Sequence, residues 1–141
     1  MPVPVVPTSF SVANIKASVV PVALDGNALT PPGDPTVLGW WGRRAGADQG
    51  ATLLVGHTVH DGGGALDNLE DVAVGTRTIV SGVEYVVKSN RVISKAELAK
   101  RASSLFSQSG PNRLVVVTCE DYNADTGHYA SNVVLVAELR R

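Results

Sequence analysis

Short apolar segments, rich in β-branched residues and separated by glycine, proline and polar residues, dominate the chain. Their length and composition predict strands at residues 18–24, 52–59, 72–80, 83–92, 114–117 and 132–139. Asp25-Gly26-Asn27 and Ser81-Gly82, which follow two of these segments, are turn signals typical of hairpins. The strands follow one another too closely for helical crossovers, so the pattern predicts a mainly β fold, either a closed barrel or a sandwich.

One segment, residues 94–106, has the periodicity of a helix. Ser94 and Glu97 have the spacing of a capping box, and apolar residues recur at i, i+4, i+7 and i+8 from Leu98. We therefore expect one short helix over about residues 94–106. The remaining connections, including the polar stretch 120–131, are expected to be long loops.

Composition narrows the possible functions. The length of 141 residues suits one domain, and we expect an extended lead-in over 1–17 followed by a folded domain over 18–141. The net charge is −1 and no run of Lys or Arg exceeds two, so the chain has no electrostatic footprint for nucleic acid. No apolar run is long enough to span a bilayer, and residues 1–10 lack the basic residues of a signal peptide. The sequence is therefore expected to be a soluble part of a longer protein.

A single cysteine and a histidine occupy similar positions along the chain. Cys119 follows the apolar strand predicted at 114–117, and His57 follows another apolar run and Gly56, a residue that would allow a substrate or another backbone to approach closely. A nearby imidazole can take the proton of a thiol and later protonate a leaving amine, so the pair is a candidate for nucleophilic catalysis. A structural cysteine and a hydrogen-bonded turn histidine are the alternative, which spacing alone favours.

Four segments together resemble the sortase family, in the order and spacing of that family, with the actinobacterial class F and class E groups most similar. They are Ala51 to His57, which ends in Gly-His; Leu114 to Cys119, which ends in Thr-Cys; Asp34 to Trp41, which contains Gly-Trp-Trp; and Gly127 to Val134 near the end of the chain. The resemblance extends from about Ser18 to Ala137.

The resemblance implies a closed eight-stranded β-barrel and a cysteine transpeptidase that needs no cofactor. Cys119 would attack an LPxTG-type sorting motif between Thr and Gly, and His57 would move the protons. The acyl group would pass to an amine of a cell-wall peptide or pilin, outside the cytoplasmic membrane, where an N-terminal anchor would hold the protein. The alternatives are a cysteine hydrolase on the same fold, or a weakened or inactive sortase-like domain that binds peptides.

One position departs from the family pattern. Sortases place an arginine on the last strand beside the thiol, and the resemblance to class F puts Ala130 at that position. Ser131 or Asn132 could instead donate a neutral hydrogen bond to the oxyanion or orient the substrate. Arg113 is a poor substitute because six strand residues put it about 20 Å from Cys119, and Arg101, Arg43 or Arg44 could serve only if the fold brings them round. Thr118, by the same resemblance, is a candidate residue of the substrate groove.

A metal site is not expected. Asp121, Asn123 and Asp125 alternate like the start of a calcium loop, but Thr126 stands where that loop needs glycine. His57 and His60, with Asp61 or His128, lack the spacing of a zinc site, and no second cysteine is available.

Overall fold

The computed structural model describes most of the chain. The described residues are 4–22, 24–25, 28–29, 34, 36–56, 64–118, 122–123, 128–129 and 131–140. His57, His60, Asp61, Cys119, Asp121, Asp125 and Ala130 lie outside them.

Eight strands close into a barrel in the order β1-β2-β5-β6-β9-β12-β8-β7, with β1 paired to β7. These strands are β1 (Ser9–Val12), β2 (Ile15–Pro21), β5 (Val37–Gly42), β6 (Ala51–Gly56), β7 (Arg77–Val80), β8 (Val83–Ser94), β9 (Arg113–Thr118) and β12 (Ser131–Leu139). Two short hairpins lie outside the barrel, one of β3 (Leu24–Asp25) and β4 (Ala28–Leu29), the other of β10 (Tyr122–Asn123) and β11 (His128–Tyr129). The prediction of a closed, mainly β barrel of eight strands is confirmed.

The expected helix is present as α1 (Lys95–Leu105), and a 3₁₀ helix spans Leu69–Asp71. Ser94 acts as the predicted cap of α1, because its Oγ accepts a hydrogen bond of 3.0 Å from the backbone N–H of Glu97. Within the described part of the chain, neither helix has the length and apolar character needed to cross a bilayer.

The side chains of the barrel form two apolar clusters. Inward residues such as Leu54, Leu114 and Val116 fill the interior, and outward residues of β6, β9 and β12 form a second buried cluster. Side chains of α1 and the segment after it, among them Leu105, cover the second cluster. Both faces of β9 are therefore buried, which explains its unbroken apolar run, Leu114 to Val117.

Several strands differ from their predicted bounds. The strand expected at 18–24 begins earlier, at Ile15, and residues 9–17 belong to the barrel as β1 and the start of β2 rather than to a lead-in. In β1 the apolar residues alternate with serines, so no apolar run marked it. The strand expected at 72–80 is shortened to 77–80 because the 3₁₀ helix and a turn precede it.

A buried polar network joins the barrel to the loops that enter β6 and β9. The hydroxyl of Tyr85 donates to Asn112 Oδ1 at 2.6 Å and accepts from the N–H of Gly46 at 2.9 Å. Asn112 Nδ2 in turn donates to Gly50 O and Thr52 Oγ1, both at 3.1 Å. Desolvation raises the pKa of Tyr85, so its hydroxyl keeps the proton that it donates.

Replacing Tyr85 by Phe is expected to lower the free energy of unfolding by about 1–3 kcal/mol, because Asn112 Oδ1 and the Gly46 N–H lose a buried partner. Urea denaturation measures the change. The exposed Ser104→Ala exchange serves as control and should stay within about 0.5 kcal/mol of the parent. A Tyr85→Phe protein as stable as this control would contradict the assigned importance of the network.

Candidate active site

Two neighbouring parallel strands lead to the candidate catalytic residues. β6 and β9 pair from Ala51↔Arg113 to Gly56↔Thr118 in a continuous register. Gly56 and Thr118 are thus partners at the same edge of the barrel, where both strands end. The next residues in the chain are His57 and Cys119.

The end of β6 is packed tightly around Gly56. A Cβ at this position would lie 2.3 Å from Leu38 Cδ2 and 3.1 Å from Leu66 Cδ1. Leu38 and Leu66 are fully buried. The sequence predicted that Gly56 leaves space for a substrate or another backbone, but the side chains of these two leucines fill that space. Packing of the barrel interior therefore explains the glycine.

The end of β9 is held by β12. Thr118 is 1% exposed, and its Oγ1 accepts a hydrogen bond of 2.8 Å from the backbone N–H of Val133. The backbone carbonyl of Thr118 accepts a second hydrogen bond, from Nδ2 of Asn132. These two hydrogen bonds hold Thr118, the residue directly before Cys119, against β12.

Asn132 is a buried side chain, 5% exposed, with its two amide atoms in different situations. Nδ2 donates to Thr118, whereas Oδ1 is buried and finds no hydrogen-bond partner within the described part of the protein. Ser131 begins β12 and pairs with Ser94 of β8 through the backbone. No sequence signal predicted the contact between Asn132 and Thr118, because it depends on the register of β12 against β9.

Comparison with known proteins then identifies the family. A model of the sortase domain matches residues 10–140. The chain belongs to the sortase family. No curated protein matches it significantly.

Solved sortases share the fold at low sequence identity. Sortase A of Listeria monocytogenes matches with a TM-score of 0.67 and 18% identity, over 96% of this chain and 88% of that one. Sortase C-1 of Actinomyces oris gives 0.70 and 16%, over 94% and 71% of the two chains. A lid mutant of sortase A from Corynebacterium diphtheriae gives 0.69 and 16%, over 99% and 73%. Because the similar structures include both sortase A and sortase C proteins, the class F or class E assignment stays a prediction.

The arginines of this sortase that the sequence analysis considered have other partners or positions. The guanidinium of Arg113, at the start of β9, donates to the carbonyls of Ser104, Leu105, Ser107 and Ser109. Partial burial lowers the pKa of Arg113. Arg43 donates to Gln108 O at 3.3 Å, Arg101 is paired with Glu97, and Arg44 is exposed in the loop before β6. In the described structure none of the four guanidinium groups is bonded to Thr118 or Asn132.

Replacing Gly56 by Ala is expected to destabilise this sortase by about 1–3 kcal/mol, because the new methyl group overpacks the interior against Leu38 and Leu66. Thermal unfolding measures the change. The double variant Gly56→Ala, Leu38→Val removes one of the clashing methyl groups and should recover part of the loss. Stability of Gly56→Ala within about 0.5 kcal/mol of the parent would show that the leucines repack freely.

Proposed function

We propose that this sortase is a cysteine transpeptidase in which Cys119 is the nucleophile and His57 the acid/base partner. The pairing of Gly56 with Thr118 carries the proposal. One Cα step of about 3.8 Å on each strand and an interstrand spacing of about 4.8 Å bring the Cα atoms of residues 57 and 119 within about 12 Å. We therefore expect the two residues that follow these strands to lie close together.

Side-chain alternation supports a shared face. Leu53 of β6, Val115 and Val117 of β9, and Val134 of β12 all belong to the outer cluster. Positions 57 and 119 follow these residues by even steps, and Asn132 precedes Val134 by two. Continued alternation would place the three side chains on the outer side of the barrel, at the edge of the surface that α1 covers.

The proposed reaction is acyl transfer through a thioester. The thiolate of Cys119, formed as the imidazole of His57 takes the thiol proton, attacks the Thr carbonyl of an LPxTG-type sorting peptide. As the carbon–sulfur bond forms and the peptide C–N bond breaks, the imidazolium protonates the departing amine of Gly. An amine of a cell-wall peptide or a pilin then attacks the thioester carbonyl and gives up a proton to His57 as the carbon–sulfur bond breaks, which regenerates the thiolate beside the imidazolium. Water in place of the amine gives hydrolysis.

Asn132 is proposed as the residue of β12 that serves the thiol. The antiparallel register pairs Val134 with Val117, so its continuation by two residues on each side would bring Asn132 opposite position 119. This register favours Asn132 over Ala130 as the counterpart of the sortase arginine. One Nδ2 hydrogen holds the carbonyl of Thr118, and the other remains for a neutral hydrogen bond to the oxyanion. Ser131 remains a secondary candidate to donate a hydrogen bond to the oxyanion. Thr118 remains a secondary candidate for the substrate groove, although its hydroxyl is already bonded to β12.

The proposed setting is the outer side of the cytoplasmic membrane or the cell wall, as for sortases generally. A secreted protein with a sorting motif would be the acyl donor. Membership of the sortase family supports this setting.

The decisive experiment mixes the protein with an LPxTG-type peptide and an amine, and follows the masses of protein and products. A thioester adduct and an amide product are expected, and both should be absent with Cys119→Ala. His57→Ala should retain peptide binding but lose turnover. Release of free acid in the presence of excess amine would favour the hydrolase. A thiol that resists alkylation and forms no adduct would leave a peptide-binding domain.

Asn132→Leu is expected to lower kcat by about 10²-fold, the lower end of the loss seen when one oxyanion donor is removed. Asn90→Leu is a matched control, because Asn90 also donates its amide to backbone carbonyls, those of Leu69 and Val72, on another part of the barrel. Thioester formation under single turnover and urea denaturation should be measured for both. Equal losses of rate in the two variants would reduce Asn132 to a structural residue.

A further inference from the structure

An open cavity of about 540 Å³ lies where β2 and β5 end, and we call it the tryptophan pocket. Its lining comes from the ends of these two strands and from the segment after α1: Pro21, Val22, Trp40, Trp41, Arg43 and Gln108. Small-molecule sites have volumes of about 300–1,000 Å³, with apolar and aromatic walls and few polar groups. The tryptophan pocket has both properties.

The two tryptophans of β5 have different contacts. Nε1 of Trp40 donates a hydrogen bond of 2.9 Å to the carbonyl of Arg43, and Trp40 packs against the interior cluster. Trp41 packs against the outer cluster and is only partly buried. Trp40 therefore holds the backbone of Arg43, whereas Trp41 offers the pocket an accessible aromatic surface.

Contacts within the protein hold the walls of the pocket together. Gly42 turns the chain between Trp41 and Arg43 with a φ of +96°, and a Cβ there would lie 2.5 Å from Ala51 O. Arg43 Nη2 donates to Gln108 O at 3.3 Å, which joins the end of β5 to the segment after α1. The pocket is thus formed before any ligand binds.

The guanidinium of Arg43 carries a charge that no carboxylate of the described residues neutralises. Its Nε is buried without a hydrogen-bond partner in the same part of the structure, and Nη2 makes the single long bond to Gln108. Arginine has further N–H donors on its terminal nitrogens, and charge-assisted bonds from these to a carboxylate are stronger than neutral ones. An anionic ligand therefore suits the pocket.

We propose that the tryptophan pocket binds a glycan whose sugar units carry carboxylates. One face of a pyranose ring presents C–H groups and is apolar, so it can stack on the indole of Trp41 while a carboxylate of the same chain contacts Arg43. A glycan is favoured over an acidic peptide because a sugar ring needs a flat apolar partner, whereas an acidic side chain would use the guanidinium alone.

The pocket is separate from the edge of the barrel that carries the proposed chemistry. The N–H of Arg43 donates to the carbonyl of Ala51 at 2.8 Å. Ala51 begins β6 and lies six residues before His57, a span of about 20 Å along an extended strand. A bound glycan would leave the catalytic edge free and, in the proposed setting, would hold the enzyme on a wall polymer. The inference does not depend on the proposed reaction.

The test is isothermal titration calorimetry with tri-galacturonate and a hyaluronan tetrasaccharide, each compared with its methyl ester, which keeps the rings and removes the charge. At least one of the two acids is expected to bind about tenfold more tightly than its ester, the lower end of the effect of a charged hydrogen bond. High salt should reduce this difference.

Variants assign the binding to the pocket. Arg43→Gln should reduce the affinity for the acid to that for the ester, and Val22→Glu, which adds a carboxylate to the lining, should abolish binding. Trp41→Leu keeps an apolar side chain on the outer cluster and should weaken binding of acid and ester alike, with thermal unfolding as the check that it folds. Arg77→Gln, which removes the same charge from an ion pair with Glu84, should change nothing.

Several outcomes would overturn the proposal. These are no binding of either acid, equal affinity for acid and ester, binding that survives both Arg43→Gln and Trp41→Leu, or tetraglutamate bound as tightly as the sugars. Displacement of the sugar by an LPxTG-type peptide would also overturn it, because the sugar would then occupy the catalytic edge. Sugar binding that depends on Arg43, in a protein that forms no thioester, would support the pocket and reject the transpeptidase, and thioester formation without sugar binding would do the reverse.

Discussion

The parallel pairing of β6 with β9 is the constraint on which the rest of the structure depends. Antiparallel neighbours can be joined by a tight turn, but parallel neighbours need a long crossover. Here the crossover contains β7, β8, α1 and the segment that leads into β9. β7 and β8 are themselves strands of the barrel, so this crossover completes the barrel. α1 stays outside the barrel, next to β6 and β9, the two strands that the crossover connects.

The position of α1 follows from the apolar outer face of those strands. Val115 and Val117 point away from the barrel interior and are buried because α1 and the residues after it cover them. Arg113 stabilises this arrangement, because its guanidinium donates hydrogen bonds to carbonyls at the end of α1 and in the following turn. Carbonyls at a helix C-terminus lack partners within the helix. A cation there donates hydrogen bonds to them and interacts favourably with the negative end of the helix dipole. One residue at the start of β9 thus anchors the helix that covers the outer face of the same strand.

Local patterns in the sequence predicted a mainly β fold, either a barrel or a sandwich, whereas the eight-stranded barrel and the two residues of the proposed chemistry followed from the resemblance to sortases. Strands with both faces buried, such as β9, have unbroken apolar runs that any reading of hydrophobicity detects. β1 escaped because only Phe10 and Val12 face inward, and β5 because its Gly-Trp-Trp segment was recognised as a motif and not as a strand. The register of β12 against β9 could not be predicted, since a shift by one residue changes every partner without changing the pattern of either strand. That register is what brings Asn132 to Thr118.

Burial of the Asn132 amide lowers the stability of the fold, and the position of this residue explains why the amide is there. Exchanging its nitrogen and oxygen would place Oδ1 against the carbonyl of Thr118, two acceptors face to face, so the orientation with Nδ2 on Thr118 is fixed. Oδ1 then stays buried without a partner among the described residues, which costs about 1–3 kcal/mol. A leucine would avoid that cost but would remove the donor from the carbonyl just before Cys119. An arginine would add a charge that must be desolvated, with the benefit of stabilising a thiolate or oxyanion. The neutral amide keeps the geometry of the strand end without that electrostatic assistance, so in the proposed mechanism more of the activation of Cys119 falls on His57.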